Sequence, residues 1–343
     1  MKIALDAMGG DDAPAAIVEG AVLAARELDV EIILVGDEKE IQKELSRHAV
    51  QGLPLSIHHA PQRVEMHESP SSVVRKKRDS SIWIATELVK RSEAVAVISA
   101  GNTGASMATA LFILGPLAGV ERPAIATSLP TLKGTSILID VGANVDCKPY
   151  HLFQFAIMGS IYAKEILGIP EPTVGLLSIG EEDTKGNELT KEVFKLLKAS
   201  SLRFIGNVEG RDVYSGGADV IVCDGFIGNV ALKISEGLSD AIGQFLKKEI
   251  TASPFAKLGY FLLKPAFSSF RKKVDYAEYG GAPLLGVDGI SIICHGRSSG
   301  KAIKNAVRVA KESYRRGVNR LIKEQIETQM GLASSKEEGI PGA

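Results

Sequence analysis

Seven short loops carry most of the residues in this sequence that could do chemistry. Each follows an apolar run and combines glycine with Asn, Asp, Thr, Ser, Lys or Arg. They are DAMGGD from Asp6, SAGNTG from Ser99, DVGAN from Asp140, IGEEDTKGN from Ile179, IGNVEGRD from Ile205, DGFIGNV from Asp224 and HGRSSG from His295. Glycine lets a backbone approach a ligand closely, and the helix N-termini that follow such loops attract anions. The set therefore favours a phosphate-like ligand, although turn chemistry alone explains any single loop.

Several other kinds of site are disfavoured. No loop matches GxxxxGK[ST] or a GxGxxG with its ribose-binding acid, which argues against ATP and NAD, and no GxSxG elbow occurs. Cys294 and His295 are neighbours at a strand end and point to opposite faces, so we expect a buried cysteine rather than a catalytic pair. Asp140 and Asp146 could hold Mg²⁺, but an Asp at a strand end more often caps a turn. We expect no metal and no cofactor.

The elements around these loops predict an α/β fold. Short runs rich in Val and Ile alternate with helical stretches, which indicates a three-layer αβα arrangement around a mostly parallel sheet. In such a sheet all seven loops would share one end. We expect one catalytic domain over 1–330, a single last helix over 299–329 and a polar tail over 331–343, with strands on either side of a Pro/Lys/Gly turn near residue 132.

Composition narrows the function further. The 343 residues include 40 Lys and Arg against 41 Asp and Glu, a formal net charge of −1, so bulk charge does not hold the protein on nucleic acid. The three cysteines fit no disulfide framework or metal spacing, which suits a reducing compartment. The N-terminus has no signal-peptide stretch, and no apolar run is long enough to span a membrane. We expect a cytoplasmic enzyme.

Together these motifs resemble a known family, the bacterial acyl-[acyl-carrier-protein]:phosphate acyltransferases of phospholipid synthesis. The likeness runs from Met1 to about Gln329. It is carried by DAMGGD (6–11), SAGNTGA (99–105), DVGANVD (140–146), GEEDTKGNELTK (180–191), GNVEGRD (206–212), CDGFIGNVALK (223–233), EYGGAPLLGV (278–287) and HGRSS (295–299). The order and number of these segments make the resemblance specific.

The resemblance implies the reaction, the fold and the partners. Members make acyl phosphate from acyl-carrier protein and inorganic phosphate, in a fold similar to phosphotransacetylases and isocitrate or isopropylmalate dehydrogenases. They work as homodimers at the inner membrane surface, where a membrane glycerol-3-phosphate acyltransferase would receive the product. The alternative is an enzyme of related fold with a different acceptor, such as a phosphotransacetylase acting on acyl-CoA or a dehydrogenase. The seven polar Gly-rich loops argue against a third alternative, a non-enzymatic membrane scaffold.

Phosphate itself is the nucleophile in this reaction, so the residues expected at the site are those that bind phosphate and polarise the thioester carbonyl. Lys185 could neutralise phosphate or an oxyanion, or could simply be a solvated loop lysine. Asn229 could donate to the carbonyl, or could be an N-cap. His295 could carry a proton, or could hold a turn. Further phosphate or substrate contacts are expected from four consecutive residues, Gly101, Asn102, Thr103 and Gly104, and from Asn144, Asn187 and Gly228.

One segment differs from the rest of the chain. In 254–273, aromatic and apolar residues interleave with basic ones, and no acid occurs between 250 and 274. The segment's candidate contact residues are Phe255, Lys257, Tyr260, Phe261, Leu262 and Lys264. Pro265 is expected to divide it into two short helices. It could form a tip on anionic lipid, dock the acidic carrier protein, or pack in a core or dimer interface.

Overall fold

The computed structural model describes residues 1–274 and 278–337, with side chains described for 1–268 and 278–329. The strands are β1 (Lys2–Asp6), β2 (Glu31–Gly36), β3 (Leu55–His59), β4 (Ala96–Ser99), β5 (Ala124–Thr131), β6 (Gly134–Ile139), β7 (Thr173–Leu177), β8 (Arg203–Val208), β9 (Val220–Val222), β10 (Ala282–Leu285) and β11 (Ile290–Ile293). The helices are α1 (Ala15–Glu27), α2 (Glu38–Leu45), α3 (Pro70–Lys76), α4 (Ser81–Lys90), α5 (Thr103–Ile113), α6 (Pro149–Leu167), α7 (Glu188–Lys198), α8 (Gly225–Ala252), α9 (Pro254–Val274), α10 (Gly300–Arg315) and α11 (Val318–Glu337).

The strands form one sheet in the order β3-β2-β1-β4-β11-β10-β5-β6-β9-β7-β8. Strands β1 to β4 and β11 are parallel to one another, and so are β6 to β9. Strand β10 is antiparallel to both β11 and β5, and β5 is antiparallel to β6. The two parallel halves of the sheet therefore run in opposite directions, and the prediction that all seven loops share one end is wrong.

The register brings the two sets of strand ends to the middle of the sheet. Strand β11 ends at Ile293, which is paired with Ala282 of β10. Strand β6 ends at Ile139, which is paired with Ala126 of β5, and β5 in turn pairs with β10. Loops from the two halves thus leave the sheet in opposite directions from neighbouring positions at its centre.

Alternation along the strands builds the three layers. In β1, Ile3 and Leu5 pack into one hydrophobic layer and Ala4 into the other, as the period of two in a strand requires. Helices α1, α6, α7, α10 and α11 contribute to the first layer, and α4, α5 and the start of α8 contribute to the second. The predicted three-layer α/β architecture with a mostly parallel sheet is confirmed.

Two helix predictions are corrected. Helix α9 continues from Pro254 to Val274 with Pro265 inside it. Proline removes one backbone hydrogen bond and costs stability there, but the turns on either side keep theirs. The single helix expected over 299–329 is instead α10 and α11, because Gly317 between them has a left-handed φ of 65°. Helix α11 continues to Glu337, so the predicted tail begins as helix, and 338–343 lie outside the described residues.

Helices α8 and α9 pack little against the rest of the chain. Only Gly225 and Gly228, at its start, are buried in α8. Large apolar side chains are exposed along both helices: Phe226, Ile227, Val230, Ile234, Leu238, Ile242, Phe245 and Leu246 in α8, and Phe255, Leu258, Tyr260, Phe261, Leu262 and Leu263 in α9. No helix in the described part of the chain is long and apolar enough to cross a membrane.

Candidate active site

The loops that follow β1, β4 and β11 (7–14, 100–102 and 294–299) form the first loop group. Their backbones lie against one another at glycines. A Cβ on Gly9 would lie 2.9 Å from the nitrogen of Gly101, and one on Gly10 would lie 3.2 Å from the oxygen of Gly296. Residues without side chains are therefore needed where these loops meet.

Asp6 lies buried beneath the first loop group. Ser99 Oγ donates to Asp6 Oδ2 at 2.7 Å, and the nitrogen of Met8 donates to Oδ1 at 3.3 Å. Ser99 Oγ also accepts from the nitrogen of Gly101 at 3.0 Å. Burial raises the pKa of the Asp6 carboxyl, and hydrogen bonds from Ser81 and Ser99 oppose that rise. Asp6 therefore fixes the loops from below.

The predicted contacts at 101–104 lie at the start of α5, in the first loop group. The side chain of Asn102 is the N-cap, accepting from the nitrogen of Ala105 at 3.0 Å. Its Nδ2 donates to the carbonyls of Met66 at 2.8 Å and Glu68 at 2.9 Å. This side chain fastens a neighbouring loop, so the backbone N–H groups of Thr103 and Gly104 are the predicted contacts here that could still bind an anion.

His295 also belongs to the first loop group. Its side chain is exposed at the carboxyl end of β11, and its Nδ1 accepts from the nitrogen of Arg297 at 3.1 Å. This contact agrees with a turn-forming histidine. A proton-carrying role for His295 stays a prediction.

The loops that follow β6, β7 and β9 (140–148, 178–187 and 223–224) form the second loop group. Asp140 is completely buried and organises the first of them. Its Oδ1 accepts from the nitrogens of Ile125, Gly142 and Ala143 at 3.0–3.2 Å. Its Oδ2 accepts from Asn144 through the backbone nitrogen at 2.7 Å and through Nδ2 at 3.0 Å. Burial raises the pKa of Asp140, against the opposing effect of these bonds.

Asn144 holds the loop in place rather than facing solvent with its side chain. Its Nδ2 donates to the carbonyl of Pro123 at 2.8 Å as well as to Asp140. Its carbonyl accepts from the nitrogen of Gly225 at 2.7 Å, which joins the loop to the start of α8. The side-chain amide that was predicted to contact substrate therefore uses its Nδ2 group for hydrogen bonds within the protein.

The first turn of α8 fits against the Asp140 loop with no space for side chains. Asp224 caps the helix, and a Cβ on Gly228 would overlap the carbonyl oxygen of Asp140. Asn229 is not the N-cap; it lies one turn further on, with its side chain exposed and 3.6 Å from where a Cβ on Gly142 would be. Its amide is thus available at the surface of the second loop group.

Lys185 and Asn187 lie on the loop between β7 and α7. Asn187 caps α7, and its Oδ1 accepts from the nitrogen of Thr190 at 2.9 Å. Lys185 is exposed, and its ammonium has no hydrogen bond or ion pair to any described residue. No contact joins Lys185 to Asn229; their helices α7 and α8 lie on opposite faces at the same end of the sheet.

Acidic residues around Lys185 are largely paired with other cations. Arg211 is 3.2 Å from both Glu181 and Glu209, and Lys198 is 3.1 Å from Asp183. These pairs are exposed and contribute little stability. Because these acids already have cationic partners, the ammonium of Lys185 could face a ligand instead.

None of the three cysteines is a ready nucleophile. Burial raises the pKa of the Cys294 thiol to about 12, and burial together with the charge of Asp140 raises that of Cys147 to about 12. Burial holds the pKa of Cys223 well above its ordinary value. All three are therefore protonated at neutral pH. Within the described ranges, no group of three His, Cys, Asp or Glu side chains could hold a metal ion.

Sequence reasoning missed three residues that shape these loops: Asp6, Ser178 and Asn207. Asp6 was visible as an acid at a strand end, whereas the turn-capping role expected for Asp140 is confirmed by its bonds from Gly142 and Ala143. Asn207 stood in a loop motif, GNVEGRD, but nothing in its pattern showed that it would be buried at 7% exposure.

The chain is similar to proteins of known activity over nearly its whole length. The model of the family described as "Fatty acid synthesis protein" matches residues 1–321. The phosphate acyltransferase of Geobacter sulfurreducens is 56% identical over 96% of this chain and 95% of its own. That of Citrifermentans bemidjiense is 54% identical over 99% and 97%.

Solved structures show the same fold at much lower identity. A phosphotransacetylase from Streptococcus pyogenes matches with a TM-score of 0.59 at 18% identity, covering 92% of this chain and 94% of that one. The EutD phosphotransacetylase of Staphylococcus aureus gives 0.59 at 17%, covering 91% and 94%. The predicted phosphotransacetylase-like fold is confirmed. The chain itself belongs to the fatty acid synthesis protein family, with the curated phosphate acyltransferases, and is an acyltransferase.

Proposed function

We propose that this enzyme transfers an acyl group from acyl-carrier protein to inorganic phosphate and releases acyl phosphate for phospholipid synthesis. The observation that carries the proposal is the second loop group, where an unpaired ammonium, an exposed amide and a helix N-terminus all lie at one end of the sheet. These groups suit an anionic nucleophile. The relatives are named phosphate acyltransferases, which agrees with phosphate as a substrate.

The reaction needs no nucleophile from the protein. An oxygen of hydrogen phosphate attacks the thioester carbonyl carbon, forming a C–O bond and a tetrahedral oxyanion. The oxyanion collapses, the C–S bond breaks, and the thiolate takes the proton that hydrogen phosphate carried, giving acyl phosphate and the free carrier thiol. The enzyme's tasks are to hold phosphate against the carbonyl and to stabilise the oxyanion.

Residues of the second loop group are assigned these tasks. Lys185 neutralises phosphate as it attacks, and the α7 N-terminus capped by Asn187 adds N–H groups. Asn229 donates to the oxyanion, with Gly228 allowing its turn to lie against the Asp140 loop. The backbone N–H groups of Thr103 and Gly104, together with His295, stay predicted substrate contacts outside this phosphate site.

The carrier-protein substrate is tested by comparing acyl donors. We expect phosphate-dependent acyl phosphate, followed by ³¹P NMR, from a long-chain acyl-carrier protein, and a much lower kcat/KM with the matching acyl-CoA. Basic surface on the enzyme would favour the acidic carrier protein, whereas CoA lacks its folded surface. Equal or better use of acyl-CoA would instead support a phosphotransacetylase.

Helices α8 and α9 fit a role in dimerisation and membrane contact. Exposed apolar residues recur on α8 at Ile227, Val230, Ile234 and Leu238, a helical spacing that makes one stripe. A second copy of the chain would cover such a stripe. This would place two α9 helices close together.

The exposed face of α9 combines apolar and basic side chains. Phe255 is 86% exposed, Phe261 70% and Leu262 71%, and Lys257 and Lys264 are exposed as well. Each basic residue near an anionic bilayer contributes about 1 kcal/mol, and buried apolar area adds to it. Binding by one α9 is marginal, and a dimer would raise it through avidity. The enzyme would then release its labile product beside a membrane acyltransferase.

Replacing both Phe261 and Leu262 with Glu should abolish co-sedimentation with phosphatidylglycerol vesicles while activity on soluble acyl-carrier protein persists. The change removes apolar anchors and adds negative charge at the lipid surface. Leu132, 91% exposed in the β5–β6 turn, gives the matched control Leu132→Glu, which should still pellet.

Two outcomes would count against this role for α9. A double variant that still pellets with anionic vesicles would remove α9 as the anchor. A variant that becomes monomeric or unfolds in size-exclusion chromatography would show that the segment is interface or core instead.

A further inference from the structure

Two polar side-chain atoms lie buried without partners beneath the loop that carries Lys185. Asn207 is 7% exposed, and its Nδ2 donates to the carbonyl of Glu182 at 2.9 Å. Among the described residues, its Oδ1 and the Oγ of Ser178 have no hydrogen-bond partner. A buried polar atom without a partner costs stability, which makes such atoms candidates for ligand contact.

Both side chains face the layer that contains α7. Asn207 of β8 is paired with Leu176 of β7, and Leu176 packs in the same hydrophobic layer as Val193 of α7. Cross-strand partners point to the same face, and Ser178 lies two residues beyond Leu176, so all three share that face. A Cβ on Gly186, at φ 106°, would lie 2.9 Å from Ser178 Oγ, so the Lys185 loop lies next to Ser178 as well as bonding to Asn207 through Glu182.

The N-terminus of α7 completes the surroundings of these two atoms. Its first N–H groups have no partner within the helix, and its dipole favours negative charge. With Ser178 Oγ–H and the Lys185 ammonium, they form a set of donors. Asn207 Oδ1 is different: its Nδ2 already donates to Glu182, so the oxygen is held as an acceptor.

That single acceptor has a consequence for anion choice. Sulfate at neutral pH offers only acceptor oxygens. It would therefore give Asn207 Oδ1 no donor and would place oxygen lone pairs opposite that oxygen. Hydrogen phosphate has one P–O–H group that can donate to Oδ1 while its other oxygens accept from the donors. A buried group left unpaired is what makes such discrimination strong.

We propose that Asn207 and Ser178 form the floor of the phosphate site and that Asn207 selects hydrogen phosphate over sulfate. This rests on the proposed function, because it names how that site recognises its nucleophile. The neighbouring acids do not prevent anion binding. Glu181 and Asp183 are paired with Arg211 and Lys198. The charge of Glu182 is balanced by the unpaired charge of Lys185, although the two side chains form no ion pair.

The test is equilibrium dialysis of radiolabelled phosphate against increasing sulfate. The wild-type enzyme should bind phosphate at least about tenfold more tightly than sulfate. Asn207→Ala should reduce that ratio by about tenfold. Ser178→Ala removes a donor that serves either anion, so it should weaken both several-fold and leave the ratio unchanged. A loosened loop would also weaken the binding of both anions, but it would not change the ratio of their affinities. A change in that ratio therefore identifies loss of the acceptor.

Asn207→Asp keeps an acceptor of the same size if Asn207→Ala fails to fold. Its negative charge should weaken both anions while the preference for phosphate persists. Equal binding of sulfate and phosphate by the wild-type enzyme, or an unchanged ratio in Asn207→Ala, would overturn the inference. Selective phosphate binding without acyl transfer from any donor would support the floor and reject the proposed function instead.

Discussion

Lys185→Ala is expected to lower kcat for acyl transfer to phosphate about 30- to 1,000-fold while the protein stays folded. The lysine is exposed and its ammonium contacts no described residue, so its removal leaves no structural partner behind. What the variant loses is a positive charge facing phosphate or the oxyanion. The measurement is steady-state kinetics with acyl-carrier protein and phosphate varied separately, together with a thermal unfolding curve. Asn229→Ala should show a comparable loss in kcat, because its amide is also exposed and free of structural duty.

Lys195→Ala is the matched control for Lys185→Ala. Lys195 is exposed on α7, the next element along the chain, and its loss changes the net charge equally. We expect its kinetics to be close to wild type. If Lys185→Ala works at a near-normal rate, Lys185 is only a solvated loop residue and the second loop group loses its main cation.

The two directions of the sheet show how far sequence reasoning reached. Apolar runs of strand length revealed most strands and the Gly-rich loops at their ends, because buried parallel strands have that composition. Three antiparallel pairings separate the two halves, two made by β10 and one between β5 and β6. The two pairings of β10 cancel in direction, so the hairpin of β5 and β6 reverses the second half; its strands were visible around a turn, but the reversal was not predicted. Strand β10 is only Ala282–Leu285 and contains a proline, so it was missed.

Side-chain partners were the second limit. Asn102, Asn144 and Asn187 looked alike in sequence, each within two residues of a glycine in a loop that follows a strand. In the structure Asn102 and Asn187 are N-caps and Asn144 joins two loops. Polar residues at strand ends serve backbone N–H groups as readily as ligands, and only contacts distinguish the two uses. Lys185 and Asn229 keep their proposed roles because no such contact occupies them.

The α9 segment shows the same limit at larger scale. Its mixture of aromatic and basic residues set it apart in the sequence, and its exposure in the structure separates it from the core of its own chain. Composition could not decide between lipid, carrier protein and a second copy. Pro265 also misled, because a proline weakens a helix locally without ending it.

Gly228→Ala is expected to destabilise the enzyme by about 3 kcal/mol or more and to lower its activity strongly. The added Cβ would overlap the carbonyl oxygen of Asp140 and lie 2.9 Å from Cys223 Sγ. Overpacking in a well-packed region typically costs about 1–3 kcal/mol, and here the obstacle is backbone of a loop fixed by five hydrogen bonds to the Asp140 carboxylate. Relief requires the first turn of α8 to move away, and Asn229 would move with it. Denaturant unfolding gives the stability, and kcat measured on the folded fraction gives the activity.

Gly243→Ala in the same helix is the matched control, with the opposite expected sign. Nothing lies within 4 Å of a Cβ at Gly243. Alanine in an open helix position should therefore stabilise α8 by about 0.5–1 kcal/mol relative to glycine. The same substitution would thus act in opposite directions at two positions fifteen residues apart, because only Gly228 meets the Asp140 loop. A Gly228→Ala enzyme as stable and as active as Gly243→Ala would show that α8 does not dock on that loop, and the placement of Asn229 would then have to be abandoned.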